Sequence, residues 1–270
     1  MRWLDSLFYP VIYILNRAAF MRFNRLVLMF AYRINGMGIA WPSNNGLSVN
    51  ETKFFKRKAN VIDGGTVFDI GANVGSYAHA VRSFCPNSPI ICFEPQPKTF
   101  RLLEANCPDF VLERLALADR TGSAVLHEVE GAEISTVASL SAATLVTHGG
   151  AGESFEVALE TVDIYCEREG IDAIRLMKID TEGHDLDVLR GASAMLAREA
   201  IDLIEFEFIP ANIYTGAHFN EFVKILDGYE LYRLCLNGSL ERLLPYDWRF
   251  TELYMIYNVI AIRRGFQVGG

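Results

Sequence analysis

The chain has 270 residues, 51% of them apolar, with 25 Lys and Arg against 33 Asp and Glu for a formal net charge of −8. Such a composition excludes a disordered chain and supplies a core for one large domain or a domain with an appendage. The charge is split, with nine basic against two acidic side chains in residues 1–60 and sixteen against thirty-one thereafter, so the acidic body excludes non-specific nucleic-acid binding, which rests on Lys and Arg at phosphates.

Taken in chain order, Trp3, Leu4, Leu7, Phe8, Val11, Ile12 and Leu15 follow helical spacing, with a break predicted at Pro10. Arg17, Arg22, Arg25 and Arg33 punctuate a second apolar stretch, Leu26 to Tyr32. Neither run reaches the ~20 residues of a spanning helix, and arginines that continue through the segment do not fit a signal peptide. Three uses remain for residues 1–60: packing against the body or against a second subunit of a homo-oligomer, peripheral membrane contact of a basic amphipathic helix through residues 1–40, or a lid. Cys85, Cys92, Cys107, Cys166 and Cys235 lack metal-like spacing and read as reduced core residues of a cytoplasmic protein, membrane-associated if the basic segment docks.

From residue 61 onward, short apolar runs alternate with helical patterns. Strands are predicted at Thr66–Ile70, Ile90–Glu94, Phe110–Leu117, Ile174–Asp180, Ile201–Phe208, Tyr229–Leu236 and Leu253–Ile262, and helices near Gly75–Phe84, Thr99–Asn106, Leu159–Glu169, Leu186–Arg198 and Phe219–Leu226. Strands apolar on both faces and separated by helices imply α/β architecture, a doubly wound, Rossmann-like, mostly parallel sheet of seven strands. Asn237-Gly238 joins the last two strands as an antiparallel edge hairpin. The stretch Ala118–Ser154, rich in Gly, Ser, Thr and Ala with one small strand at Ala124–Val129, interrupts this rhythm as an insertion over the ligand side.

In such a sheet ligands bind beyond the carboxyl ends of the strands, and here those ends are acidic. VFDIGANVG carries Asp69 before Gly71 and Gly75, the second strand ends at Glu94, the third runs to Asp119, the fourth ends at Asp180 with Glu182 beside it, and the fifth contains Glu205 and Glu207. A glycine turn followed about 20 residues later by an acid is half of a dinucleotide fingerprint, the acid accepting from ribose hydroxyls. A pyrophosphate wants bare N–H groups and positive potential, whereas this loop has Asp69 beside it. A ligand that is nucleoside at one end and cationic at the other satisfies both halves, and S-adenosylmethionine is such a molecule. Taken singly, Asp69 also fits a helix cap and Glu94 an exposed strand end.

The ordered set VFDIGANVGSY, ICFEPQPKTFRLLEAN, LALADRTG, TVDIYCEREGI and IRLMKIDTEGHDLDVLRGA resembles the FkbM family of S-adenosylmethionine-dependent methyltransferases over roughly residues 60–210. The resemblance implies a class I methyltransferase domain over residues 61–270 and methyl transfer to a hydroxyl, commonly of a sugar or polyketide. It further implies Asp69, Gly71, Asn73 and Gly75 around the methionine end of the cofactor, Glu94 at the ribose, and the Leu117-Ala118-Asp119 turn at the adenine, with Asp180 beside them.

For catalysis, a hydroxyl nucleophile profits from a nearby base. His184 stands at a predicted strand tip and is the first candidate, with Asp180 and Glu182 competing and His148 in the insertion behind them. Lys178, inside a strand, is costly unless paired, and Asp180, Glu205 and Glu207 are its expected partners. Asp187 reads as a helix cap. The acids Asp180, Glu182, Glu205 and Glu207 could instead hold Mg or Mn, an option the spacing leaves open and does not favour. Acceptor contacts are expected from Glu205, Glu207, His148 and Tyr214, with a sugar or other hydroxylated acceptor as partner. The rival from another class is a non-catalytic membrane-peripheral module with a vestigial nucleoside site.

Overall fold

A computed structural model describes residues 2–38, 46–129, 138–145 and 151–268. The chain forms two compact units, residues 1–39 and 40–270. The first unit holds α1 (Arg2–Leu15), a 3-10 turn (Ala18–Phe20) and α2 (Met21–Ile34). Helix α1 runs through Pro10, forgoing the one i→i−4 bond that proline cannot donate, where the sequence predicted a break. Among the described residues, no helix is long and apolar enough to cross a membrane.

The second unit opens with α3 (Val49–Ile62), started by a capping box in which the Glu51 N–H donates to Ser48 Oγ and the Glu51 carboxylate accepts from the Ser48 N–H. Phe54, Phe55 and Ile62 of this helix are fully buried beside Val67, Tyr77, Val81, Leu203 and Ile260. The sequence boundary at residue 60 therefore falls inside this unit. Then come β1 (Val67–Ile70), α4 (Ser76–Phe84), β2 (Ile90–Phe93), α5 (Pro97–Asn106), β3 (Val111–Glu113), β4 (Ala116–Leu117), β5 (Gly122–Val129), β6 (Ala138–Ser139) and β7 (Ala151–Glu160). The chain continues through α6 (Val162–Glu169), β8 (Ile174–Ile179), α7 (Asp185–Arg190), α8 (Ser193–Ala197), β9 (Ile201–Phe208), α9 (Ala211–Thr215), α10 (Phe219–Ile225), β10 (Tyr229–Leu234), β11 (Leu240–Arg242), α11 (Trp248–Thr251) and β12 (Tyr257–Arg263).

Among the described residues the main sheet has eight strands in the order β11-β10-β12-β9-β8-β1-β2-β3. Strands β3, β2, β1, β8 and β9 are parallel, and β12 runs antiparallel to both of its neighbours. This is the doubly wound, Rossmann-like architecture expected, with its topological switch point between β1 and β8.

The count exceeds the predicted seven because Asn237-Gly238 leads into the short β11, not across to the last strand. Strand β12 instead inserts between β10 and β9, as its almost unbroken burial demands of an interior strand. The predicted third strand also divides. Its first half stays at the edge of the main sheet, while Ala116 and Leu117 peel away to pair with β7.

The insertion is a second sheet in the order β4-β7-β5-β6, with Ala116, Ala118, Leu126, Val157 and Leu159 as its core. Strand β7 overrides the helix predicted from Leu159: Phe155, Val157 and Leu159 alternate inward, and the helix starts only after Thr161, whose Oγ1 accepts from the Ile164 N–H at 3.1 Å. The helix predicted over Leu186–Arg198 is two helices, interrupted near Gly191. A Cβ on Gly191 would lie 1.9 Å from the Ala118 carbonyl oxygen, so glycine there lets the chain press against the insertion.

Candidate active site

The glycine loop is shaped by backbone contact. After β1 the N–H groups of Gly71 and Ala72 both donate to the Phe93 carbonyl at 2.9 Å. Gly71 has φ +82°, and a Cβ on it would lie 1.9 Å from the Asp180 carbonyl oxygen, so only glycine lets the β1 and β8 tips approach this closely. Gly75 has φ +87° and serves packing, since a Cβ there would meet Cys107 Sγ at 2.1 Å.

A cleft opens at these tips. Its walls include Gly71, Asn73, Glu94, Asp180, Thr181, Glu182 and His184, with Ile70, Phe93 and the run Leu115–Leu117 as apolar surface, and Leu126, Ala138, Ser139 and Leu140 contributed by the insertion. Among the described residues no Lys or Arg lines it. Glu94 is buried and bridges the loop: its Oε2 accepts from the Asn73 N–H at 3.0 Å and its Oε1 from the Gln96 N–H at 2.8 Å. Burial pushes the Glu94 pKa up to about 7 against the pull of those two donors.

His184 stands just before α7. Its Nδ1 lies 3.2 Å from Asp187 Oδ2 and its Nε2 is buried without a hydrogen-bond partner. Burial opposes ionisation of Asp187, yet hydrogen bonds from His184 and Arg190 hold its pKa below the usual value. The cap read into Asp187 from the sequence is thus a ring-holding contact, for which the His-x-x-Asp spacing on one helical face was the available signal. Glu182 adopts φ +52°, a conformation costly for a side chain with a Cβ. Burial, and Asp180 after it, push its pKa up.

Beneath the cleft lies a buried polar layer. Asp69 and Lys178 are register partners across β1 and β8, and Lys178 and Glu205 across β8 and β9, so strand alternation turns all three to the α3 and α4 face. Lys178 Nζ donates to Asp180 Oδ2 at 2.7 Å and stands 5.0 Å from the Tyr77 ring centroid. The pairing expected of a lysine in a strand is therefore met by Asp180. Burial disfavours the ammonium, but Asp180, Asp69 and Glu207 together raise its pKa. Tyr77 Oη donates to Glu205 Oε2 at 2.8 Å, and Asn258 Nδ2 donates to Glu205 Oε1 at 3.2 Å. Tyr77 and Asn258 went unnoticed in the sequence, where nothing local ties them to an acid so distant along the chain. Asp185, also buried, accepts from the Thr181 and Glu207 N–H groups and pins the β8 and β9 tips together.

Of the residues singled out from sequence, Gly71, Asn73, Glu94, Asp180, Glu182 and His184 meet in one cleft. Asp69, Gly75, Ala118, Asp119, Glu205, Glu207 and Tyr214 are not among its lining residues. Asp69 is fully buried below it with neither carboxylate oxygen hydrogen-bonded. Ala118 is buried and donates its N–H to the Glu160 carbonyl, Asp119 pairs with Arg120 at 2.9 Å, and Tyr214 is exposed on α9. His148 lies outside the described residues. Among the described residues no group of three or more His, Cys, Asp or Glu converges as a metal ligand set, and Glu205 is already engaged by Tyr77 and Asn258. Gln96 and Ser139, which line the cleft, were not anticipated.

This crowding of acids carries a pH prediction. Burial raises Asp69 and Asp185 to about 6 and Glu94 to about 7. Burial raises Glu182 and Glu205 further, to about 8, so the folded chain holds more protons than the unfolded chain between about pH 4 and pH 8, and stability falls as pH rises through that window. Lys178 stays charged in both states there, and the depressed carboxylates Asp63 and Asp187 act only at lower pH. Thermal unfolding of the cofactor-free protein is expected to shift down by on the order of 5 °C from pH 5 to pH 8. A midpoint that rises over that range would overturn this account of the acids.

The methyltransferase FkbM domain signature matches residues 69–233. The chain is 26% identical over 177 residues to the 2-O-methyltransferase NoeI of Sinorhizobium fredii, covering 61% of this chain and 72% of that protein. It is 25% identical over 169 residues to the hexuronic acid methyltransferase AglP of Haloferax volcanii, covering 61% of this chain and 62%, less than two thirds, of that protein. Among solved structures, the precorrin-6y C5,15-methyltransferase of Geobacter metallireducens superposes with a TM-score of 0.42 at 12% identity, over 84% of this chain and 97% of that one. The domain signature spans more than half of the chain and contains the β1 and β8 tips that build the cleft, and on that ground the chain belongs to the FkbM family of S-adenosylmethionine-dependent methyltransferases.

Proposed function

We propose that this protein is an O-methyltransferase acting on a hydroxyl of a sugar or glycan. The observation that carries the reading is the buried, unpartnered His184 Nε2 in a cleft whose charged lining is otherwise carboxylate. The donor set fits S-adenosylmethionine. Glu94 has lone pairs left for ribose hydroxyls after accepting from Asn73 and Gln96, Leu115–Leu117 and Phe93 offer an apolar bed for adenine, and Asp180 and Glu182 suit a cationic end. The absence of Lys and Arg from the described lining disfavours a pyrophosphate. Bound there, S-adenosylmethionine supplies an electrophilic methyl on a positively charged sulfur.

The chain's own work is positioning and proton transfer. Asp187 holds Nδ1 of His184, which leaves Nε2 to accept the hydroxyl proton as the oxygen–carbon bond forms and the sulfur–carbon bond breaks. The products are a methyl ether, S-adenosylhomocysteine and a protonated imidazole. The insertion residues Ser139 and Leu140 line the cleft. Support for an oxygen acceptor comes from one relative, a 2-O-methyltransferase, and for a sugar from the other, a hexuronic acid methyltransferase.

The test is transfer of a radiolabelled methyl group to a panel of uronic-acid, neutral-hexose and amino-sugar glycans. Label that survives mild alkali, as an ether does, is expected on at least one uronic-acid or hexose glycan. Label lost to alkali, as from an ester, or found only on nitrogen would overturn the hydroxyl assignment.

A further inference from the structure

We propose that residues 2–34 are an interfacial anchor that seats this protein on an anionic lipid surface. The inference is independent of the methyl-transfer chemistry. In α2, Phe23, Val27, Phe30 and Ile34 are each between 50% and 67% exposed. At 3.6 residues per turn they fall within an arc of about 60°. Arg22, Arg25 and Arg33 gather on a second arc centred about 120° away. In α1, Leu7, Val11 and Ile14 form a matching stripe and are likewise at least half exposed. On the other side of α1, Tyr9 and Tyr13 stack with ring centroids 6.2 Å apart, and Arg17 lies 5.5 Å from the Tyr13 ring centroid.

Length decides between lying on a bilayer and crossing it. Each helix has 14 residues, about 21 Å, against a hydrocarbon core of about 30 Å. In α2 an apolar stripe with arginines on the neighbouring arc is the pattern of a helix lying in the headgroup layer, its stripe in the acyl boundary and its cations at lipid phosphates. Charge decides between lipid and a second copy of the chain. No Asp or Glu occurs between Asp5 and Glu51, and among the described residues Arg17, Arg22, Arg25 and Arg33 form no ion pair. Two copies meeting stripe to stripe would bring these cations together with nothing in the segment to neutralise them. An anionic bilayer supplies the apolar layer and the opposing charge at once.

The full chain is mixed with phosphatidylcholine vesicles, with and without an equal part of phosphatidylglycerol, and sedimented. Pelleting is expected with the anionic vesicles, and high salt should weaken it. The variant Arg22→Gln, Arg25→Gln, Arg33→Gln should bind them roughly a hundredfold less, at about fivefold per arginine, and Phe23→Ser with Phe30→Ser should bind less again. Thermal unfolding and methyl transfer to a soluble acceptor, both expected unchanged, show that the variants are folded. Failure to pellet, or equal pelleting on neutral lipid, overturns the proposal. A dimer in light scattering that Phe23→Ser with Phe30→Ser dissolves assigns the stripe to a second copy and overturns it too.

Discussion

Replacing Glu94 with alanine is expected to weaken S-adenosylmethionine binding by about a hundredfold or more in calorimetry. The carboxylate is buried and accepts two backbone N–H groups, one from the loop after β1 and one from the turn after β2. Removing it takes away the ribose acceptor and, with it, the acceptor that the Gln96 N–H uses in a partly apolar wall. Hydrogen bonds to a charged group contribute about 1.5–3 kcal/mol each, and an orphaned buried donor costs about 1–3 kcal/mol. Glu94→Gln keeps an acceptor oxygen and loses the charge, so its loss should be intermediate. Because burial raises Glu94 to about 7, wild-type affinity should also decline as pH falls from 8 to 6, with Glu94→Gln less sensitive over that range. Full affinity in Glu94→Ala would place the nucleoside outside this cleft.

The second large effect belongs to His184. Its alanine variant should lose about 10²–10⁴ in kcat while binding S-adenosylmethionine as the wild type does, because the ring serves the proton and not the cofactor. Asp187→Asn should cost roughly tenfold, since it keeps a partner for Nδ1 and removes the charge that steadies the protonated ring. Equal turnover in His184→Ala and wild type across pH would leave Asp180 and Glu182 as the candidate bases.

The elements legible in the sequence were those with a local signal. Four of the parallel strands of the main sheet, β1, β2, β8 and β9, were visible because apolar runs of four to eight residues fit a strand buried on both faces, and the β1 tip because glycine at positive φ has few substitutes. Glu94 was legible from its spacing after that loop. The insertion was less so. Its β7 alternates Phe155, Val157 and Leu159 inward, but such a pattern in a segment of small residues competes with the helical reading of the run that follows. The divided third strand left no mark, because Ala116 and Leu117 are equally apolar whichever sheet receives them.

For the site, the limit was direction. An acid at a strand tip faces either side of the sheet with equal ease in a sequence. Asp69 and Glu205 look like cleft residues on paper, yet pairing beside Lys178 turns them under α3 and α4, where Tyr77 and Asn258 meet Glu205. Two residues beyond Asp69, the positive φ of Gly71 redirects the chain toward the Asp180 carbonyl, and only there does the cleft begin.

By itself the sequence determined the order of the parallel strands of the main sheet, the acidic character of the sheet's carboxyl edge and the family, because each of these is written in residues close together along the chain. Tertiary structure decided which acids face the cleft, which pair with Lys178 below it, and that Asp187 holds the His184 ring. Those are matters of which distant side chains share one small volume, and strand register and helix placement set that volume.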